Sequence, residues 1–166
     1  FDTPRGWERA RISIEVIPTN YQLWPKFANH HYLTGSINKS SRCWLATLYG
    51  EPIGFASAIA FPNGNFKNAW RGHRTVVLPD FQGLGIGTRL SDTVAQFFID
   101  DGCRYFSKTS HPVMGRYREN STKWKATSKN KKTRGDYNPN HKTKEDGHKM
   151  QHANRMTFSH EYVGAA

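Results

Sequence analysis

Cysteine, acidic residues and long apolar runs are all scarce in this sequence, and each shortage excludes a class of protein. The two cysteines, Cys43 and Cys103, are too few for a disulfide scaffold or a zinc knuckle. We expect both thiols to lie in or near the core rather than to act as nucleophiles. The longest apolar run, residues 54–62, is far shorter than the roughly 20 residues of a membrane span. The eight histidines form no recognised ligand pattern, so no metal site is predicted.

The shortage of acidic residues leaves the chain strongly basic. Asp and Glu total 13 against 24 Lys and Arg, which gives a net charge of +11. A positive charge of this size suggests a polyanionic partner, DNA or RNA among them. Hydrophobic residues make up 36% of the 166 residues, so wholesale disorder is excluded and one domain over 1–166 is expected. No signal peptide follows Phe1, and we expect a cytoplasmic protein that is a processed or excised fragment.

Hydrophobic periodicity predicts an α/β (α+β) domain with a mixed sheet flanked by helices. A period of two residues predicts strands, and a period of three to four predicts helices. The predicted strands are residues 11–17, 42–49, 53–61, 70–78, 104–109 and 156–163. The predicted helices are residues 21–32, interrupted near Pro25, then 85–101 and 112–119.

A basic, aliphatic-poor segment separates the last two predicted parts of the sheet. Nine Lys and Arg lie between Lys123 and Lys149, against three acidic residues. Such a segment buries little surface. We therefore expect a loop insertion at about 125–153, placed between two strands.

The most informative motif follows the strand that ends at Pro79. Three glycines, Gly83, Gly85 and Gly87, alternate with other residues and lead into an amphipathic helix. Glycines let the backbone approach a ligand closely, and the free N–H groups of a helix start attract phosphate. The Gly-Lys-Ser/Thr ending of a P-loop is absent, and the spacing is not the G-x-G-x-x-G of dinucleotide-binding domains. The motif predicts a different kind of phosphate site.

Gln82-Gly-Leu-Gly-Ile-Gly87 resembles the Q/R-x-x-G-x-G/A loop of the GNAT superfamily of N-acetyltransferases. The resemblance implies a mostly antiparallel sheet whose splayed strand pair holds acetyl-CoA, and direct acyl transfer to a nitrogen. The implied cofactor-binding residues are Val76, Val77, Leu78, Gln82, Gly83, Leu84, Gly85, Ile86, Gly87 and Thr88.

The resemblance also suggests catalytic residues, with one departure from the family pattern. Tyr117 lies in the helix where the superfamily often carries a tyrosine that protonates the leaving thiolate. The usual carboxylate base is missing, because residues 70–77 contain no Asp or Glu. His73 is the first substitute, since imidazole titrates near neutrality, and His111 and Glu161 are further candidates. A packing role for Tyr117 and a solvent-facing role for His73 stay open.

The acceptor is suggested by charge. His31 and Tyr32 precede the hairpin, where the superfamily forms one wall of its acceptor pocket. Residues 116–134 hold eight Lys and Arg against one Glu, with Trp124 among them. Basic residues beside aromatics suit phosphate contacts and base stacking, so Arg116, Lys123 and Trp124 are further substrate candidates.

Three hypotheses about function follow. A nucleic-acid acceptor is favoured, and a faint resemblance to the Mom-type branch, phage enzymes that modify adenine in DNA, points the same way. It depends on His31-Tyr32, a downstream tyrosine and overall basicity. The alternatives are acetylation of a small-molecule or protein amine, and a non-catalytic nucleic-acid-binding module.

Overall fold

The computed structural model describes residues 2–3, 6–7, 12–31, 35–62, 64–133 and 156–164. The strands are β1 (Asp2–Thr3), β2 (Gly6–Trp7), β3 (Glu15–Thr19), β4 (Arg42–Leu48), β5 (Glu51–Ala60), β6 (Ala69–Val77), β7 (Arg104–Thr109), β8 (Trp124–Ala126), β9 (Lys132–Thr133) and β10 (Met156–Tyr162). The helices are α1 (Pro25–Ala28), α2 (Ile86–Asp100) and α3 (Pro112–Asn120). Short 3₁₀ turns cover Tyr21–Leu23 and Pro79–Phe81.

Most predicted elements are confirmed, and three boundaries differ. The first strand is Glu15–Thr19, later than predicted. The predicted helix over 21–32 is a 3₁₀ turn followed by the single turn α1, because Pro25 lacks an N–H and starts a new helix. The predicted insertion begins too early, since β8 and β9 both pair with β10. Residues 134–155 lie outside the described residues.

The large sheet has the order β3-β4-β5-β6-β7-β10-β8, with β9 added beside β10. Its neighbours are antiparallel except β6 and β7, which are parallel. In the described chain this parallel pairing covers only 69–71 against 104–106. Because β6 continues to Val77 and β7 to Thr109, the two strands diverge beyond the pairing. The splayed strand pair that the resemblance implies is confirmed.

Helices cover the two faces of the sheet at different places. On one face the apolar side of α2 packs through Leu90, Val94 and Phe98 into a core with Trp44. On the other face Phe27 of α1 packs in a second cluster with Phe55 and Val76 of the sheet. Burial of each such large side chain contributes about 1.5–3 kcal/mol. The two cores therefore fix the start of α2 beside the end of β6.

The third helix is fixed by a close contact with the sheet. Gly115 of α3 lies against the ring of Phe158 in β10, and a Cβ at Gly115 would be 2.1 Å from that ring. A glycine is therefore required at this point of the helix. The contact determines the rotation of α3, and with it which side chains of α3 point toward β6 and β7.

Candidate active site

A cleft of about 580 Å³ lies where β6 and β7 diverge. Its walls come from β6, β7, the glycine loop and the first turns of α2 and α3. Eight of the ten predicted cofactor residues line it: Val76, Val77, Gln82, Gly83, Gly85, Ile86, Gly87 and Thr88.

The glycine loop has the backbone that its sequence predicts. Gly83 and Gly85 have φ of +81° and +75°, in the left-handed region where a Cβ causes strain. The amide of Arg89 donates to the Gly85 carbonyl at 3.2 Å, so the amides before it have no intrahelical acceptor. The first turn of α2 contains no acidic residue. The start of α2 therefore offers backbone donors and a positive dipole end to an anion.

The loop is held against the strand before it. The Gln82 side-chain amide donates to the Val77 carbonyl at 2.8 Å. Leu78 and Leu84 are the two predicted cofactor residues that do not line the cleft. The Leu78 amide donates to the Ile53 carbonyl at 2.9 Å and its side chain packs with the α1 cluster, while Leu84 is largely exposed.

Tyr117 does not line the cleft, and its surroundings disfavour the predicted acid role. Its hydroxyl donates to Oδ2 of the buried Asp92 on α2 at 2.5 Å. Burial, together with this carboxylate, raises the pKa of Tyr117 to about 12. A phenol that already donates to a carboxylate is a poor proton source for a thiolate. The structure gives Tyr117 a role in joining α3 to α2.

We expect the Tyr117→Phe variant to keep its turnover and lose stability. Loss of a hydrogen bond to a carboxylate should lower the free energy of unfolding by about 1.5 kcal/mol. Urea denaturation and the steady-state acetylation rate measure the two effects separately. A fall in kcat with an unchanged unfolding midpoint would return Tyr117 to the mechanism.

His73 lies in the cleft wall at a β-bulge. Ser57 pairs with Arg74 and Ala58 pairs with Gly72, so His73 is the extra residue of β6. Its Nε2 accepts the backbone N–H of Asn38 at 3.1 Å. This bond engages the lone pair that a general base needs.

Electrostatics also limit His73 as a base. Burial, together with the charges of Arg74 and Arg71, lowers the pKa of His73 to about 4. The ring is therefore neutral at pH 7, and its basicity is weak for a proton from an attacking amine. The role of His73 as the general base stays a prediction, and the surroundings of the ring disfavour it.

The other two base candidates lie in different environments. His111 caps the start of α3, where its Nδ1 accepts the Met114 amide at 3.5 Å, and it lines the cleft. It stays a candidate. Glu161 forms a two-point ion pair with Arg104, at 2.6 and 2.7 Å, and does not line the cleft. Its carboxylate is occupied, so the predicted base role of Glu161 is not supported.

A second cavity, of about 880 Å³, adjoins the cleft through His111, which lines both. Arg116 and Lys131 contribute cations to this groove, and Glu119 contributes a carboxylate. Glu119 is already bonded to Lys131, to the Asn130 amide at 2.6 Å and to the ring of the buried His160 at 2.8 Å.

The predicted substrate residues separate into two groups. His31 lines the cleft and Arg116 lines the groove, and their substrate-binding role stays a prediction. Trp124 is only 5% exposed and its indole N–H donates to Asp92 at 2.8 Å, so it cannot stack on a substrate base. The Nζ atom of Lys123 lies 3.8 Å from Oδ2 of the same Asp92, so Lys123 also faces α2. Tyr32 lies outside the described residues.

Sequence reasoning missed Arg118, which is buried in the cleft wall one residue after Tyr117. The helical period does not single it out. Tyr117 follows Met114 and Val113 by three and four residues, just as Arg118 follows Gly115 and Met114, and both Val113 and Met114 line the cleft. Which of the two side chains faces the cleft therefore depends on tertiary contacts of α3.

The model of the acetyltransferase (GNAT) family matches residues 10–119, which include the splayed strands, the glycine loop and most of α3. The chain belongs to this family. It is an acetyl-CoA-dependent acetyltransferase, and acetyl-CoA is its acyl donor. The glycine loop and the start of α2 fit the donor's phosphates, since they combine free amides with a first turn that lacks acids.

Solved GNAT structures share this fold at low sequence identity. The "IAA acetyltransferase" of Bacillus cereus is 15% identical, with 90% of this chain and 99% of that chain covered and a TM-score of 0.63. The ribosomal-protein-S18-alanine N-acetyltransferase of Escherichia coli is 9% identical, with 93% and 96% covered and a TM-score of 0.60. A GNAT acetyltransferase of Elizabethkingia anophelis, solved with acetyl-CoA bound, is 16% identical, with 92% and 98% covered and a TM-score of 0.58.

No curated protein matches the sequence of this GNAT chain. Among the helices of the described residues, none is long and apolar enough to cross a membrane. The part of the chain that the structure describes has no cluster of three or more His, Cys, Asp or Glu that could hold a metal ion.

Proposed function

We propose that this acetyltransferase modifies a nitrogen on a nucleic acid. The observation that supports the proposal is the charge around the two cavities. Among the described residues that line them, five are Lys or Arg and one is acidic: Arg74, Lys108, Arg118, Arg116 and Lys131 against Glu119. Because Glu119 is already paired with Lys131, a cationic amine would meet no free carboxylate on these walls. An acceptor that carries phosphates is attracted instead.

Partly exposed aromatic rings also lie beside cations in a patch outside the two cavities. Arg71 pairs in register with Phe106 at the point where β6 and β7 diverge. The guanidinium of Arg71 lies 4.8 Å from the Phe61 ring centroid, and that of Arg104 lies 3.7 Å from the Phe66 centroid. Partly exposed rings and cations in one patch suit the stacking of single-stranded bases.

The transfer chemistry places limits on the acceptor. The acceptor nitrogen bonds to the thioester carbon, the carbon–sulfur bond breaks with its electron pair on sulfur, and the nitrogen loses one proton. In a nucleic acid the exocyclic amino group of a base is such a nitrogen, and adenine is the base that the Mom-type resemblance suggests. A base in a duplex must leave the stack to enter a cleft of this kind.

Binding of a single-stranded oligonucleotide should depend steeply on salt and on the groove. Each lost phosphate contact lowers the slope of log K against log salt by about 0.7. We expect the double variant Lys108→Gln, Arg116→Gln to lower the slope and the affinity. The matched variant Lys26→Gln, Lys125→Gln removes the same charge from exposed positions outside both cavities and should change neither. Equal effects of the two double variants would contradict a nucleic-acid site here.

A protein α-amino group is the second candidate acceptor. The specific reason is the likeness to the S18-alanine N-acetyltransferase of Escherichia coli. On this alternative a peptide substrate is acetylated at its N-terminus, and the groove variants leave the rate on that peptide unchanged.

A further inference from the structure

We propose that Arg118, on the helix where the superfamily often carries a proton-donating tyrosine, holds the departing thiolate of coenzyme A. The inference concerns the acyl-donor side of the reaction and does not depend on which acceptor is used. It starts from a buried charge. Arg118 is 4% exposed, yet it lines the cleft between β6 and β7.

The guanidinium is held in a fixed position. One of its terminal N–H groups donates to the Ser91 hydroxyl at 2.9 Å, and the guanidinium lies 4.6 Å from the Trp124 ring centroid. Ser91 also lines the cleft, four residues after Gly87 on the same side of α2. A spacing of four residues is about 6 Å along the helix. Arg118 thus lies beyond the phosphate loop, deeper in the cleft.

Two other cations line the cleft, but neither is buried as Arg118 is. Arg74 is partly exposed and Lys108 is exposed. The charge of Arg118 also acts on a residue of the cleft wall, Tyr105. Burial raises the pKa of Tyr105 to about 12, although the nearby charge of Arg118 acts in the opposite direction. Because a buried charge is screened less by water than an exposed one, Arg118 is the cation best placed to act on an anion that forms in the cleft.

The walls of the cleft differ in what they offer to the reacting group. Beyond Arg71 the edge of β6 no longer pairs with β7, so those backbone amides that do not bond to β5 face the cleft and suit the acetyl carbonyl oxygen. Arg118 faces the cleft from α3, beside the apolar side chains Val113 and Met114. This wall suits the sulfur, which is apolar in the thioester and anionic after the carbon–sulfur bond breaks.

The step balances without a proton donor. The acceptor nitrogen bonds to the carbonyl carbon, the electron pair of the carbon–sulfur bond moves to sulfur, and the nitrogen proton passes to solvent. Arginine stays protonated in proteins, so Arg118 stabilises the thiolate through charge-assisted hydrogen bonds and does not protonate it. The thiolate gains its proton from water after release.

The test titrates the thiol of bound coenzyme A, followed by the ultraviolet absorbance of its thiolate. No acceptor and no turnover are needed. With the wild-type protein we expect the bound thiol to titrate at lower pH than the free thiol, and with Arg118→Met we expect this shift to disappear. An unshifted thiol in the wild-type complex would overturn the proposal by itself.

Controls separate the thiolate role from other roles of Arg118. Desulfo-coenzyme A, which lacks the sulfur, should bind Arg118→Met and wild type equally; weaker binding of both ligands would assign Arg118 to the phosphates and overturn the proposal. Tyr117→Phe should keep the full shift. If Arg118→Met does not fold, Arg118→Lys keeps the charge on a shorter side chain, and its thiol should titrate between the free and wild-type values. A thiol in Arg118→Lys that titrates like the wild-type thiol would contradict a geometric role of the guanidinium.

Steady-state kinetics give a further readout. Loss of one preorganised charge that stabilises a developing anion lowers kcat by about 10²–10³-fold. We expect that loss in Arg118→Met with little change in the KM for acetyl-CoA. A rise in KM with an unchanged kcat would contradict a role in the chemical step.

Discussion

Replacing Gly87 by aspartate is expected to abolish acetyl-CoA binding and leave the protein folded. Gly87 lies in the first turn of α2, and a Cβ there would be 3.6 Å from the Val77 side chain, an ordinary contact. A carboxylate at this end of a helix stabilises the helix by about 0.3–1 kcal/mol. The same carboxylate repels phosphate, and like charges brought together cost several kcal/mol, or about 10²-fold or more in affinity.

Two variants at the same position separate charge from size. Gly87→Ala adds only the Cβ, and Gly87→Asn adds a neutral side chain with the shape of aspartate. Calorimetric titration with coenzyme A should show near-normal binding for Gly87→Ala, intermediate binding for Gly87→Asn and none for Gly87→Asp. A folded Gly87→Asp variant with wild-type affinity would show that the phosphates lie elsewhere.

Replacing Asp92 by alanine is expected to cause a large loss of stability. Asp92 is a buried carboxylate on α2 whose oxygens accept from the Trp124 indole at 2.8 Å and the Tyr117 hydroxyl at 2.5 Å. Lys123 lies 3.8 Å away. Removing the carboxylate leaves two donors without their acceptor, at about 1–3 kcal/mol each. We expect the free energy of unfolding to fall by about 3–5 kcal/mol.

The matched control is Asp101→Ala. Asp101 pairs with Arg42 at 3.3 Å, and both side chains are about half exposed. Such a surface pair contributes less than about 1 kcal/mol. Urea denaturation of both variants should therefore give clearly different losses. Equal losses would mean that Asp92 does not join α2 to α3 and β8.

Asp92 also connects stability to the active site. Its bond to Tyr117 fixes one side of α3 on α2, and the contact of Gly115 with Phe158 fixes another. The contact of Gly115 with Phe158 sets the rotation of α3, with Arg118 lining the cleft, and the Tyr117 bond adds stability to this arrangement. The arrangement supports the proposal that Arg118, and not the tyrosine, acts on the donor sulfur.

The start of α2 and its glycine loop are readable in the sequence because local rules determine them. Apolar residues at helical spacing define α2, and φ near +80° at Gly83 and Gly85 requires glycine. The splay of β6 and β7 has no such local signal. Periodicity shows that both strands exist, but pairing between strands depends on contacts distant in sequence, and the splay was expected only from the family resemblance.

The catalytic residues were harder to predict because they depend on tertiary contacts. Whether Tyr117 or Arg118 faces the cleft depends on the rotation of α3, which the close contact of Gly115 with Phe158 sets. Trp124 lies in a basic stretch that resembles a solvated loop, yet β8 pairs with β10 and buries the indole. Glu161 resembles a free strand carboxylate until the fold brings Arg104 beside it.

Transfer of isotopic label decides whether the proposed acceptor, a nucleic acid, receives the acetyl group of acetyl-CoA. Labelled acetyl-CoA is incubated with the protein and single-stranded DNA, duplex DNA, tRNA, a peptide and polyamines in parallel, with Gly87→Asp as the control. The proposal predicts a labelled nucleoside after digestion of DNA or RNA, absent with Gly87→Asp. Label on the peptide or the polyamines alone would contradict the claim and make the enzyme an amine acetyltransferase.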